Sequence, residues 1–424
     1  MKNIFTLVLL TGILFFSVSC GDEPAIIPID ETGEDVVVSG LISSNTTWTS
    51  DKLYELAGRV IVVDGVTLTI EAGTIIKGRE GTGSLASTLI IARGAKIMAE
   101  GTAENPIIFT SVLDNIDLGE KMGTNLTAKE NERWGGLILL GAAPISAKVG
   151  DAESAIEGIP ADENFGLYGG TNVSDNSGIL KYVSIRHGGS LIGDGNEING
   201  LTLGGVGSGT TIDNVEIFGT LDDGFEFFGG TVNASNLMVY WQGDDGIDID
   251  QNYSGTITNF IVSHGDGVGT DEGLEIDGPE NTLKDGKFTL KNGTIINDGI
   301  AGSAADIKSD AQGTLDNVVF SGYSSAKLKF EAEYVAGDCS DHEVKTYNDA
   351  VQKLLDGDFI ITKTNYGSIS VYSKTDSDKN ALCASVPATD QDAAAAKASP
   401  DLTATGADAS VFTWTAAKLS GASF

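Results

Sequence analysis

The feature that most constrains this 424-residue chain is a hexapeptide pattern that occurs three times, starting at Asp222, Asp244 and Asp271. Each copy reads acidic, acidic, Gly, apolar, acidic, apolar, and the glycines at 224, 246 and 273 are 22 and 27 residues apart. A pattern that recurs at such a period indicates one supersecondary unit stacked on itself. Because successive side chains of a strand point to opposite faces, the flanking apolar residues turn the third acidic residue outward. The sequence therefore predicts a column of like charges along one face of the stack.

A second repeat supports stacking, because an asparagine precedes a short strand-like triplet five times, at spacings of 22, 23, 33 and 25 residues. Inward-facing asparagines at turns would stack their amides from coil to coil and so satisfy polar groups that are otherwise buried without partners. The surrounding chain consists of short apolar strands between Gly, Asn and Asp, without helical periodicity. We therefore predict an all-β fold, a right-handed parallel β-helix that forms a single-stranded solenoid over residues 37–335. The asparagines are Asn214, Asn236, Asn259, Asn292 and Asn317.

Four segments of the predicted solenoid carry a resemblance to known families. Residues 101–110 (GTAENPIIFT) and 134–137 (WGGL) resemble the opening coils of pectate-lyase-like β-helix proteins. Residues 199–207 and 221–233 resemble a narrower family of bacterial surface and secreted β-helix proteins, common in Bacteroidota, whose function is largely unassigned. The resemblance implies the fold for about residues 40–335 and implies no catalytic residues.

The N-terminus has the features of a targeting segment. Lys2 precedes an apolar run over residues 4–16, which is shorter than the roughly 20 residues that a membrane-spanning helix needs. Small residues then lead to Cys20, so residues 1–19 resemble a bacterial lipoprotein signal peptide, in which the cysteine becomes the lipidated first residue. The acidic residues that follow resemble the surface-export signal of Bacteroidota lipoproteins. The alternative is a simple secretory signal with a chance cysteine.

This resemblance implies a cellular address. We expect lipidation at Cys20, an acidic tether over residues 20–36, and a protein anchored by lipid in the outer membrane and exposed at the cell surface. The membrane would then be a partner through the anchor alone. With 60 acidic and 26 basic side chains, the formal charge of −34 argues against nucleic acid as a partner. Cations, neutral glycans and basic protein surfaces remain open.

The C-terminal part of the chain changes character after the predicted solenoid. Cys339 and Cys383 remain once Cys20 is lipidated, and cysteines outside the cytoplasm tend to pair. We expect them to close a small disulfide-linked module over residues 336–400, in which residues 347–355 have helical spacing. Residues 401–424 are predicted to cap an open end of the solenoid, since repeat proteins avoid uncapped ends.

The carboxylate column suggests a cation site. Aligning the coils on their Gly-apolar-x-apolar elements gives one outward position on successive coils, with further acidic residues beside it. Oxygen-rich clusters suit a hard cation such as calcium, which takes 6–8 oxygen ligands. The alternative is that these side chains are solvated turn residues that keep strand edges charged. The aligned column is Thr202, Glu226, Asp248, Glu275, Asp306 and Lys329, and the tentative metal ligands are Glu226, Asp248, Asp250, Glu275 and Asp277.

Two function hypotheses follow, and the sequence favours the first without deciding whether the protein is an enzyme. The first is a non-catalytic binding or accessory β-helix protein whose partner is a glycan, a protein or an outer-membrane complex. The second is a polysaccharide lyase or glycoside hydrolase that acts at the acidic column, since such chemistry uses paired carboxyl groups. Its candidate catalytic residues are Asp223, Asp245, Asp248, His264 and Lys308.

Overall fold

The computed structural model describes most of the chain after its N-terminal segment. The predicted signal peptide, Cys20 and nearly all of the tether lie outside the described residues, as do Cys383 and the side chain of Cys339. Lipidation and the disulfide therefore stay predictions. The described residues are 35–157, 159, 164–193, 196–297, 299, 302–323, 326–335, 338–342, 349–373 and 386–424.

Parallel strands from successive coils stack into three sheets. The first sheet contains Thr46–Trp48, Thr67–Ile70 and Lys96–Glu100, the first halves of Gly178–Gly188, Thr211–Thr220, Asn233–Tyr240, Thr256–Ser263, Phe288–Ile296 and Gly313–Ser321, and then Phe359–Thr362. The second sheet contains the starts of Val36–Ile42 and Leu53–Val62, then Ile75–Gly78, Ile107–Ser111 and the second halves of the same six long strands.

The third sheet carries the repeated hexapeptides. It contains the ends of Val36–Ile42 and Leu53–Val62, then Thr88–Ile91, Leu137–Leu140, Leu201–Gly204, Phe225–Phe228, Ile247–Asp250, Glu272–Ile276, Ser303–Ile307, Lys327–Ala332 and Ser368–Ser373. Short antiparallel hairpins add Ser154–Ala155 with Leu167–Tyr168, Ser190–Gly193 with Asn196–Ile198, and Tyr334–Val335 with Asp338–His342.

Helices are few. The α-helices are Ala350–Asp356, Ala388–Lys397 and Ala416–Leu419, and the 3-10 helices are Gly83–Leu85, Asn164–Gly166 and Ala409–Phe412. Among the described residues, no helix combines the length and the apolar character that crossing a bilayer requires.

The core lies between the three sheets and is built by strand alternation. In the third sheet Phe225 and Phe227 are fully buried, and Leu274 and Ile276 occupy the same two positions two coils later. The residue between each such pair points away from the core. The structure therefore confirms the predicted all-β parallel solenoid, whereas its right-handed sense stays a prediction.

The five repeated asparagines form the bends between the first and second sheets. Their φ angles lie between 54 and 59°, in the left-handed region that asparagine tolerates better than most residues. Asn259 donates to the Oδ1 atom of Asn236 at 2.7 Å, and Asn317 donates to that of Asn292 at 2.8 Å, so amides do pair between coils. The predicted inward orientation is wrong, because Asn317 also accepts a backbone N–H from Thr405 on the outer surface.

The solenoid continues past residue 335, where the sequence placed its end. The strands Phe359–Thr362 and Ser368–Ser373 extend the first and third sheets by one coil. Val351 and Leu354 of the helix Ala350–Asp356, which precedes these strands, belong to the main core, and Lys353 pairs with buried Asp310 at 3.0 Å. Residues 336–400 are thus not a separate insert over their described part, because their apolar side chains complete the last coil.

The prediction that residues 401–424 cap an open end is also wrong. This C-terminal segment lies along the outer side of the second sheet, where Phe412, Ala416 and Ala417 pack against an outward apolar stripe. Buried Glu216 accepts the backbone N–H groups of Ala416 and Ala417 at 2.9 and 2.8 Å. The segment follows the side because the outer positions there are apolar and need cover. The stripe is Phe218, Met238 and Ile261.

Replacing Phe412 by Ala tests this packing, because the ring is fully buried. We expect the free energy of unfolding to fall by about 3–5 kcal/mol in urea denaturation, the usual cost of truncating a buried Phe. The control is Leu402→Ala in the same segment, where the side chain is 81% exposed and the cost should stay within about 0.5 kcal/mol. Equal costs for both variants would contradict the packing.

Candidate functional site

The predicted carboxylate column exists, and its members are direct neighbours on the third sheet. Each residue of the series is the register partner of the next on a parallel strand, with neighbouring strands about 4.8 Å apart. The strand register is fixed by the buried apolar residues, since a slip of one residue would turn them out of the core. The column is Thr202, Glu226, Asp248, Glu275, Asp306 and Lys329.

A second row of side chains runs beside the column at the turn before each strand. Asp245 donates its backbone N–H to Oδ1 of Asp223 at 2.9 Å, and Glu272 donates to Oδ1 of Asp245 at 2.7 Å. Asn199 begins the row by accepting from the backbone N–H of Asp223 at 3.3 Å. Thus the second residue of each hexapeptide links one coil to another. In the sequence, this role is visible only as an acidic second residue in each of the three hexapeptides.

Three groups of carboxylates bring their oxygen atoms within 4.8 Å of one another. Two oxygens bound to one calcium ion at about 2.4 Å lie at most about 4.8 Å apart, so this spacing suits one ion in each group. The groups are Asp223, Glu226 and Asp248 (the first triad), Asp222, Asp223 and Asp244 (the second triad), and Asp245, Glu272 and Glu275 (the third triad).

The structure brings only some of the predicted metal ligands close to one another. Glu226 and Asp248 meet in the first triad, whose third member is Asp223, one of the candidate catalytic residues. Glu275 belongs to the third triad instead, and Asp250 and Asp277 belong to none of the groups found among the described residues. The sequence places Asp223 in the acidic turn beside the column but not among the tentative ligands, because an alignment of strands does not give the reach of the preceding turn.

The first triad is largely removed from solvent. Asp223 and Glu226 are 6% and 7% exposed, and Oδ1 of Asp248 is buried without a hydrogen-bond partner among the described residues. Burial, followed by repulsion from neighbouring carboxylates, raises the pKa values of all three groups well above their ordinary range. The same causes raise the pKa of Asp222 to about 8. An orphaned buried carboxylate oxygen among other carboxylates is the environment that a bound cation would satisfy.

Positive side chains neutralise only one half of the acidic face. Lys308 forms an ion pair with Glu275, and Lys329 pairs with Glu272 and, at 3.1 Å, with Asp306. Within the part of the chain that the structure describes, no basic side chain forms an ion pair with a member of the first or second triad. The half of the face near Thr202 therefore holds the uncompensated carboxylates.

The candidate catalytic residues do not form one constellation with free functional groups. Asp223, Asp245 and Asp248 share the acidic face, but Lys308 is engaged by Glu275. His264 is buried: Nδ1 contacts Gln242 Nε2 at 3.1 Å, and Nε2 contacts the Tyr323 hydroxyl at 2.6 Å. Burial lowers the His264 pKa to about 4, so the imidazole is neutral at physiological pH.

Fold and face together define an acidic parallel β-helix protein. The chain belongs to the family described as "Pectate-lyase like beta helix domain", whose model matches residues 40–419. The match includes the last coil and most of the C-terminal segment, in agreement with a solenoid that extends past residue 335. No curated protein and no solved structure matches the chain.

The raised pKa values predict how stability depends on pH without divalent cations. A carboxyl whose folded pKa lies above its unfolded value stabilises the fold at low pH, and this contribution disappears as pH rises through the folded pKa. For Asp222 the window runs from the ordinary value of 3.8 to about 8. We expect the free energy of unfolding to fall across this window, by up to about 1.4 kcal/mol per pH unit for each extra bound proton.

Urea denaturation in EDTA at several pH values measures this slope. Asp222→Asn should make the slope shallower, because one titrating group is lost. Asp316→Asn, which removes a carboxylate paired with Lys291 on the first sheet, is the matched control. A wild-type stability that rises between these pH values would contradict the prediction.

Proposed function

We propose that this protein is a non-catalytic binding or accessory β-helix lipoprotein of the outer-membrane surface whose acidic face binds calcium. The observation that carries the proposal is the first triad, in which Asp223, Glu226 and Asp248 bring oxygen atoms within 4.8 Å of one another without a basic partner among the described residues. A donor set made only of carboxylate oxygens suits a hard cation. Within this proposal the partner is a glycan, a protein or an outer-membrane complex.

Electrostatics supports a bound cation over bare carboxylates. Two carboxylates at the strand spacing of about 4.8 Å repel by roughly 3.5 kcal/mol at an effective dielectric of 20. Glu226 and Asp248 stand at that spacing on adjacent strands, and Asp223 joins them from the turn. A divalent ion replaces this repulsion with attraction and links two coils of the third sheet.

The ion would also give the face a way to bind a partner. Three protein carboxylates do not fill the 6–8 oxygen positions of calcium, so the remaining positions take water or oxygen atoms of a ligand. Hydroxyl or carboxylate oxygens of a glycan, or carboxylates of a protein, have the required chemistry. Such a ligand would bind through the cation, although the chain itself carries a formal charge of −34.

The surface address rests on the N-terminal sequence. The short apolar run, Cys20 and the acidic residues after it support lipidation and export. The enzyme alternative at the same face would use Lys308 and His264. Lys308 forms an ion pair with Glu275, and both ring nitrogens of His264 are hydrogen-bonded, to Gln242 and Tyr323, so neither side chain supports that alternative. We therefore propose binding and not lyase or hydrolase activity.

Isothermal titration calorimetry with calcium tests the site. We expect wild-type protein at pH 7.5, freed of metal with EDTA and dialysed, to bind calcium. Asp248→Asn should weaken the affinity at least about tenfold, equivalent to about 1.4 kcal/mol, because a charged ligand is lost. The control Asp213→Asn removes a carboxylate of the first sheet that accepts hydrogen bonds from Ser235 and Asn236. Its calcium affinity should match that of wild type.

Two outcomes would contradict the proposal. Absence of calcium binding by correctly folded wild-type protein would remove the cation site. Turnover of a polysaccharide by the wild type, lost in Asp248→Asn with the fold intact, would establish the enzyme alternative in its place.

Replacement of Cys20 by Ala tests the anchor. We expect the wild type in the outer-membrane fraction of its host cells, labelled by a fatty-acid probe and degraded when intact cells are treated with protease. The Cys20→Ala variant should lose the label and leave the membrane fraction. A wild-type protein without label, recovered in the periplasm, would show a secretory signal with a chance cysteine.

A further inference from the structure

The third triad already holds positive charge from the chain itself. Its members Asp245, Glu272 and Glu275 satisfy the same distance limit as the first triad. Lys329 contacts Glu272, and Lys308 contacts Glu275. Together the two ammonium groups carry the charge of one calcium ion. We propose that Lys308 and Lys329 act as tethered cations that occupy the third triad and confine metal binding to the other half of the acidic face.

The positions of the lysines follow from the strand register. Lys329 is the register partner of Asp306 and so ends the carboxylate column. Lys308 comes two residues after Asp306, the place that Asp250 and Asp277 occupy after Asp248 and Glu275 on earlier coils. A lysine therefore takes the place of an acidic residue of earlier coils both in the column and at the position two residues after the column. By register, Lys308 lies one coil and Lys329 two coils after Glu275, and the ion pairs of both lysines reach the third triad and not the first.

The electrostatic state of the two halves differs accordingly. Burial by itself would raise the pKa of Glu272, but hydrogen bonds from Lys329 and Ser303 lower it overall. Glu272 is thus ionised and paired, although its side chain is only 4% exposed. In the first triad, by contrast, Oδ1 of Asp248 is buried without a hydrogen-bond partner among the described residues. Ammonium groups thus pair with two of the three carboxylates of the third triad, whereas no basic side chain among the described residues pairs with the first triad.

A tethered cation differs from a free ion in one functional respect. Its local concentration is set by the chain and does not depend on calcium in the medium. The coils around Glu272 and Glu275 should therefore keep their geometry when calcium is removed. The coils around the first triad should respond to it. The lysines would in this way decide both how many ions bind and which coils depend on them.

The experiment is calorimetric titration of the Lys308→Gln/Lys329→Gln double variant with calcium. Glutamine keeps much of the side-chain length and removes both charges, so the third triad becomes an all-oxygen site. We expect one additional calcium ion per chain compared with the wild type, and a thermal transition that calcium raises more than it does in the wild type. The matched control is Lys181→Gln/Lys291→Gln, whose lysines pair with Asp213 at 3.9 Å and Asp316 at 3.6 Å on the first sheet. It should gain no ion.

The inference rests on the proposed calcium site for its cation chemistry, but the outcomes separate the two. If the wild type binds no calcium and the double variant binds one ion, the proposed site fails and the role of the lysines stands. If the wild type binds calcium and the double variant gains no ion, the role of the lysines is overturned. Failure of the double variant to fold in millimolar calcium would overturn it too, because calcium should replace the lost ammonium groups.

Discussion

Repulsion between carboxylates held in register is the constraint on which the acidic face depends. A parallel solenoid stacks each position on the same position of the next coil, so an acidic residue meets its repeat about 4.8 Å away. The apolar residues on both sides are locked in the core, and the strand therefore cannot slip to separate the charges. Glu226, Asp248 and Glu275 are neighbours for this reason.

This repulsion between carboxylates is relieved by different interactions along the acidic face. Backbone N–H groups of the next coil donate hydrogen bonds to the carboxylates of Asp223 and Asp245, so these side chains link adjacent coils. Lysine side chains neutralise Glu272 and Glu275. Neither device reaches Oδ1 of Asp248, which is buried without a hydrogen-bond partner among the described residues. A cation is the remaining way to stabilise the ionised carboxylates there, and protonation is the alternative when no cation is present.

The sequence predicted the solenoid and the carboxylate column well, because both follow from strand alternation and from the repeat of Gly224, Gly246 and Gly273. It failed where contacts depend on unrepeated segments. The strand Ser368–Ser373 continues the third sheet without the hexapeptide pattern, so the sequence did not reveal the last coil. The outward Met238 resembles any strand residue in sequence, and only the fold reveals that the C-terminal segment covers it. Asp223 joins the triad through a turn whose reach no alignment of strands gives.

The most direct test of the account is a crystal structure of the protein grown with calcium and repeated with terbium, whose anomalous signal locates the ion. The account predicts a peak bound by oxygen atoms of Asp223, Glu226 and Asp248 at about 2.3–2.6 Å for calcium. It predicts no peak at the third triad while Lys308 and Lys329 are present. Well-defined side chains at the first triad without a peak, or a peak between Glu272 and Glu275 alone, would contradict it.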